Sequence, residues 1–254
     1  MGSVVMWWAS GWAGWWGMFG RHDGEMDVLD RVGPGLLDVV RRDFMWLSWN
    51  TVLAWVPVVL ALLVFRMRRS DRRVSRSPVW WAGVALFVLF LPNAPYVVTD
   101  LVHLRDDIRF VGDGPVVTTV LPVYVAFIVS GFLAYYLALA ELGRYLDHVG
   151  LTRWRTPVTL GLHLLCAVGV FLGRWTRLNS WEPVVQPRGT FERMLLALTW
   201  SWAPVLIAAM FLTTAVGHFV TRAVVEAAVA GVRSIVANMK RAAVTTTPDD
   251  VPAR

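Results

Sequence analysis

The sequence predicts an all-α bundle of five or six membrane-spanning helices, with one span broken at Pro92–Pro95. Three observations predict it. The 254-residue chain is 56% hydrophobic and 17% charged, with a mean hydropathy of +0.53, whereas a soluble domain carries about a quarter charged residues. Five apolar runs, Phe44–Phe65, Val79–Val98, Val116–Leu139, Val158–Trp175 and Met194–Val220, approach or exceed the roughly 20 residues that a spanning helix needs. Arginines gather in short loops beside these runs, and 15 tryptophans suit the bilayer interface better than a core. That placement makes the net charge of +6 a signal of membrane topology and argues against nucleic acid as a partner. With Cys166 as the one cysteine, an intrachain disulfide and a Cys-based zinc cluster are excluded. No Gly-rich phosphate loop followed by Lys, and no hydrolase elbow, is present.

Taken in order, Ser3–Gly20 is uncharged and alternates Trp7, Trp8, Trp12, Trp15 and Trp16 with Gly11, Gly14, Gly17 and Gly20. Each glycine costs a helix about 1 kcal/mol relative to Ala, although lipid tolerates Gly better than water does. The stretch reads as a first span, which would make six, as an interfacial helix, or as an over-called start of translation. Arg21–Asp43 mixes both charges and predicts a surface linker with a short helix from Leu36. The five spans fill residues 44–220, with Pro57, Pro122 and Pro204 expected to kink their helices. Beyond them, Val224, Val225, Ala228, Val232, Ile235, Val236 and Met239 recur at helical spacing, so 221–243 predicts an amphipathic cytoplasmic helix, or a solvated extension of the last span. Residues 244–254, with Pro248, Pro252 and paired aspartates, read as a disordered tail.

The loops set the orientation. Arg66–Arg76 holds six arginines and one aspartate, which places it in the cytoplasm. Arg105–Pro115, with two arginines and three aspartates, falls outside. Arg144, Arg153 and Arg155 mark the next inside loop. Arg222, Arg233, Lys240 and Arg241 mark an inside C-terminus. The alternation holds across all five spans.

Polar residues interrupt this apolar pattern at one depth. Leu91–Leu104 carries Pro92, Asn93, Pro95, Tyr96, Asp100 and His103, and the break lies about 20 Å above Val79 at 1.5 Å per residue. Unpaired backbone at that depth must be buried in protein or line a polar cavity. Thr99 and Asp100 can alternatively cap a resumed helix without any chemistry. Arg174 arrives at the same depth about 24 Å along its own span. It is followed by Arg177, Asn179, Trp181 and Glu182. Arginines snorkelling into an aromatic belt account for this stretch; a guanidinium pair that binds a carboxylate or phosphate is the sharper reading. Asn50, about one and a half turns into the first span, is the third polar element there. Lower in rank, His163 and Cys166 predict packing rather than a metal site, and His218 predicts an interfacial position. Glu141 and Arg144 predict a helix-end pair of small energetic value.

Trp49-Asn50 with Leu53-Ala54-Trp55-Val56-Pro57, then Pro92-Asn93-Ala94-Pro95-Tyr96 with Thr99-Asp100-Leu101 and His103-Leu104, then Gly173-Arg174, Arg177 and Asn179-Ser180-Trp181, resemble three motifs of one family. It is the uncharacterised bacterial membrane family called domain of unknown function 1361, and the resemblance covers about Phe44 to Val220. It implies a polytopic bacterial membrane protein with no established activity, and the expected location is the bacterial cytoplasmic (inner) membrane.

Together these readings predict a protein that binds or translocates a small anionic group or a lipid headgroup in an outward-facing polar pocket. Arg174 and Arg177 would supply charge, and Asn50, Asn93, Tyr96, Asn179, Trp181 and Glu182 would complete the lining. No cofactor is expected. The alternative is an embedded enzyme acting on a lipid or envelope precursor, with Asp100 orienting His103 as general base, or both holding a divalent metal with Glu182. A structural partner of another membrane complex is the third reading.

Overall fold

The computed structural model describes residues 36–66, 77–111, 116–175 and 185–245, and among these there is no β-strand. Helix α1 (Leu36–Ala61) runs on into one π-helical turn, Leu62–Arg66. Helix α2 (Pro78–Phe90) is followed by the four-residue α3 (Asn93–Tyr96) and a 3-10 stretch, Val97–Val102. Then come α4 (Leu104–Val111), α5 (Val116–His148), α6 (Arg155–Trp175), α7 (Pro187–Leu198) and α8 (Ala203–Thr245). Five stretches are long and apolar enough to cross a bilayer: Leu37–Arg66, Pro78–Val102, Val116–His148, Thr152–Trp175 and Ala203–Met239. The chain is a multi-pass integral membrane protein.

The starts of the first and last spans differ from expectation for local reasons. Helix α1 starts at Leu36 rather than Phe44, because Val39 and Asp43 continue its buried stripe inward toward the bundle. The last span starts at Ala203 rather than Met194. The chain turns at Thr199–Trp202, where the Thr199 hydroxyl donates to the Leu196 carbonyl and Ala203 N–H to Trp200 O. Pro204 therefore sits in the first turn of α8 rather than inside a kinked helix, a position where its missing N–H costs nothing.

Helix α5 is the axis of the bundle. Helices α1, α3 and α4 lie along it, α2 packs on α1, and α6 pairs with α8. The main core joins Phe65, Phe87, Leu91, Tyr135, Ala138, Leu162 and Cys166. Val52 and Val59 on α1, Leu63 in the π-helical turn, and Leu164 and Leu165 on α6 are exposed, as suits faces that meet lipid rather than water.

The broken span is held by specific substitutes for its lost backbone bonds. Pro92 and Pro95 have no N–H to donate. Ala94 N–H bonds to Leu91 O at 3.2 Å, a three-residue step, which leaves the Phe90 carbonyl without its partner four residues on. The Asn93 side chain fills that vacancy, Nδ2 donating to Phe90 O at 2.8 Å. Thr99 does not cap a resumed helix; its hydroxyl donates back to Tyr96 O at 2.8 Å, which suits the tighter 3-10 winding. Two glycines let neighbouring helices reach this segment. A Cβ on Gly131 of α5 would overlap Val97 and lie 2.7 Å from Ala94 O, and one on Gly169 of α6 would lie 2.6 Å from Pro92 Cγ.

At the opposite end of the bundle, Glu141 meets Arg144 as expected and Arg66 Nη1 at 4.0 Å. Helix α5 continues to His148, and Glu141 is only 6% exposed. The pair is thus a buried carboxylate with two guanidinium partners, and its loss would cost more than that of a surface pair.

Candidate functional site

One face of α1 builds the site. Val39, Asp43, Trp46, Asn50 and Ala54 recur every three or four residues, and so share one stripe. That stripe points at the 3-10 stretch, α4 and α5. Asn50 Nδ2 donates to Asp100 Oδ2 at 3.1 Å, and Asp100 is 3% exposed. A buried carboxylate at this position needs such a donor.

Trp46 is the centre of the cluster. Its ring stacks on His103 at 5.0 Å and packs edge-on against Phe127 at 5.6 Å. Tyr124 lies tilted against it at 6.2 Å. The Trp46 side chain also hydrogen-bonds the Asp43 carboxylate.

Asp107 of α4 is 2% exposed. The Tyr124 hydroxyl donates to its Oδ2, and Arg42 Nη1 lies 3.5 Å from its Oδ1. Arg42 also covers the Phe110 ring at 4.5 Å. The charges of Asp107, Asp43 and Asp100 all act on Tyr124, and the Arg174 guanidinium at the end of α6 acts on Asp100. Four elements and the 3-10 stretch thus bring three buried carboxylates, two arginines, an amide, a phenol, an imidazole and the rings of Trp46, Phe110 and Phe127 to one end of the bundle.

Asn50 and Asp100, singled out from sequence, meet in this cluster, and the charge of Arg174, also singled out, acts on Asp100. His103 joins through its ring, but it is exposed and its Nδ1 faces the main-chain oxygen of Asp100 at 3.2 Å. The Asp100 carboxylate is taken by Asn50 rather than by the imidazole. Asn93 is half-buried with its amide on Phe90, and Tyr96 is half-buried on the same short segment. Arg177, Asn179, Trp181 and Glu182 lie outside the described residues, as do 1–35 and 246–254. Among the described residues no group of three His, Cys, Asp or Glu side chains is arranged to hold a metal.

Sequence reading misses Arg42, Asp43, Trp46, Asp107 and Tyr124. By sequence alone Asp107 is one charge among several in a loop, and Asp43 ends a charged linker. A signal exists nonetheless: running the first helix back to Leu36 places Asp43 on the Asn50 face. Leu104, Asp107 and Val111 likewise line one side of α4.

A second polar cluster lies between α5, α6 and α8. Tyr135 OH and His163 Nδ1 are 2.8 Å apart, Cys166 is buried beside them, and His218 packs 5.2 Å from His163. His218 thus packs among bundle side chains. His163 and Cys166 pack in the core, as expected.

No curated protein and no solved structure matches this chain. A family model does, over residues 49–216. The match takes in Asn50, the broken span, Asp100, His103, Asp107, Tyr124 and Arg174, while Arg42, Asp43 and Trp46 precede it. Covering about two thirds of the sequence, it shows that the chain belongs to the family described as protein of unknown function DUF1361.

Proposed function

We propose that the protein binds or translocates a small anionic group or a lipid headgroup at the end of the bundle where α1 begins. The observation that carries this reading is the Asn50 amide donating to the buried Asp100 carboxylate across two spans, with the charges of His103 and of Arg174, at the end of a third span, acting on Asp100. Polar groups are expensive inside a membrane and mark ligand paths when they gather. The three buried carboxylates narrow the chemistry. A purely anionic ligand would meet Asp43, Asp100 and Asp107, so the best fit carries both signs, as an aminophospholipid headgroup does. Its phosphate would face Arg174 and Arg177, whose planar forks suit it, and its ammonium the carboxylates. The arginine-rich loops support an outward-facing site and a cytoplasmic C-terminus, and the family resemblance supports a bacterial cytoplasmic membrane. The catalytic alternative gains less support, because the His103 nitrogen faces a main-chain oxygen rather than a carboxylate.

Native mass spectrometry of the detergent-purified protein, titrated with phosphatidylethanolamine and phosphatidylglycerol, tests the reading. Retention of the amine-bearing lipid should exceed that of the other, and should fall about tenfold or more in Arg174→Gln and in Asp100→Asn. Equal retention by wild type and both variants would remove the headgroup reading.

A further inference from the structure

We propose that Asp43 and Asp107 hold one exchangeable proton between them, forming a carboxyl–carboxylate pair beneath Trp46 at the α1 end of the bundle. The two side chains lie within hydrogen-bonding reach of each other. They are 7% and 2% exposed, so water does little to separate their charges. Asp43 Oδ2 is buried and faces no hydrogen-bond donor among the described residues. That oxygen is the anomaly, because an ionised carboxylate accepts only, and a buried acceptor without a donor is rare. A proton on that oxygen turns it from an acceptor without a donor into a donor itself, and the Asp107 carboxylate beside it accepts.

Charge points the same way. Around the pair, α1 supplies Arg42, the Trp46 indole and Asn50, the 3-10 stretch Asp100 and then His103, α4 Asp107 itself, α5 Tyr124, and α6 Arg174. Among the described residues the one ion pair to either carboxylate is that of Arg42, on Asp107 Oδ1. The Arg174 charge acts on Asp100. One adjacent guanidinium balances one negative charge, and two carboxylates sharing a buried site do not both ionise. The Tyr124 hydroxyl already donates to Asp107 Oδ2, so the remaining proton belongs on the Asp43 side. Membrane proteins use such protonatable carboxylates as relay and coupling sites. A cationic group entering here would displace the proton. The proton pair stands independently of whether the site takes a lipid headgroup.

Infrared difference spectroscopy on the full chain in nanodiscs, with isotope-labelled aspartate, reads the proton directly. At neutral pH the wild type should show a protonated aspartic C=O band that shifts in D2O. Asp43→Asn and Asp107→Asn should each abolish it, and Asp106→Asn, an exposed neighbour paired with Arg109, should leave it. Asp43→Asn supplies an N–H2 donor where the proton is placed, so it should fold and carries the test even if Asp107→Asn does not. Absence of a protonated aspartic band, its survival in the Asp43 variant, or its appearance only when sodium is removed would overturn the shared proton.

Discussion

At the scale of single residues, the membrane makes every polar side chain answerable for a partner. Asn50 and Asp100 meet this demand for each other across 50 positions of sequence, at 3.1 Å. Losing the donor strands a buried carboxylate, which typically costs about 1–3 kcal/mol and more when the group is charged. Asn50→Leu should therefore lower stability by at least that much in a mixed-micelle unfolding titration. The exchange Asn50→Asp with Asp100→Asn reverses the bond, and should recover most of the loss that either single change causes. A double variant as unstable as the sum of the singles would mean the two residues do not couple. Asn93 acts on its own helix instead: its amide replaces the backbone donor missing from Phe90. Asn93→Leu should cost a similar 1–3 kcal/mol, roughly one buried unsatisfied carbonyl.

The elements show which parts of this architecture a sequence announces. Spans announce themselves, because about 20 apolar residues in a row have no other use in so uncharged a chain. The break at Pro92 and Pro95 is equally legible, since proline removes donors wherever it stands. The winding of the chain beyond the break is not legible. The winding is decided by packing neighbours distant in sequence: Gly131 lies 34 residues beyond Val97, and Gly169 lies 77 residues beyond Pro92. The site is half legible for the same reason. Asn50, Asp100 and Arg174 stand out as polar residues inside apolar runs, whereas Asp43 and Asp107 stand among other charges and are distinguished only by burial. The two glycines give a sharp test of the packing. Gly131→Ala must push Val97 or the Ala94 carbonyl aside, and Gly169→Ala must push Pro92. Each should lose about 1–3 kcal/mol by overpacking. Gly161→Ala on α6 meets open space and should be neutral, or stabilising by up to about 1 kcal/mol through helix propensity. Thermal melts in one detergent would rank the three; equal effects would mean that helix propensity, and not close approach, governs these positions.

At the scale of the whole molecule, the two ends of the bundle differ in charge. One end gathers Asp43, Asp100, Asp106 and Asp107 with Arg42, Arg105, Arg109 and Arg174; the other carries Arg66, Arg144, Arg153 and Arg155 against Glu141 and Asp147. Helix α8 leaves from the arginine end and continues unbroken to Thr245. Its 43 residues make about 65 Å of helix at 1.5 Å each, roughly twice the apolar thickness of a bilayer. The segment 221–243 is thus the same helix as the last span. Val224, Val232, Ile235 and Met239 are exposed on it.

Because positive charge is retained on the cytoplasmic side, this asymmetry predicts one orientation. Single cysteines on a Cys166→Ala background should report it in intact cells. An impermeant maleimide should label Asp113→Cys, in the acidic loop before α5, and leave Ser70→Cys and Arg254→Cys unlabelled until the cells are opened. Cys166 is buried, so its replacement by Ala removes background labelling at the modest cost of a small side chain. Labelling at Ser70 and protection at Asp113 would invert the molecule. The Asp43–Asp107 pair and the Asn50–Asp100 bond would survive that inversion unchanged, since both are internal to the bundle. The headgroup would then have to arrive from the cytoplasmic leaflet. Orientation thus decides which side of the membrane supplies the ligand, while the chemistry that recognises it is set by the side chains around Trp46.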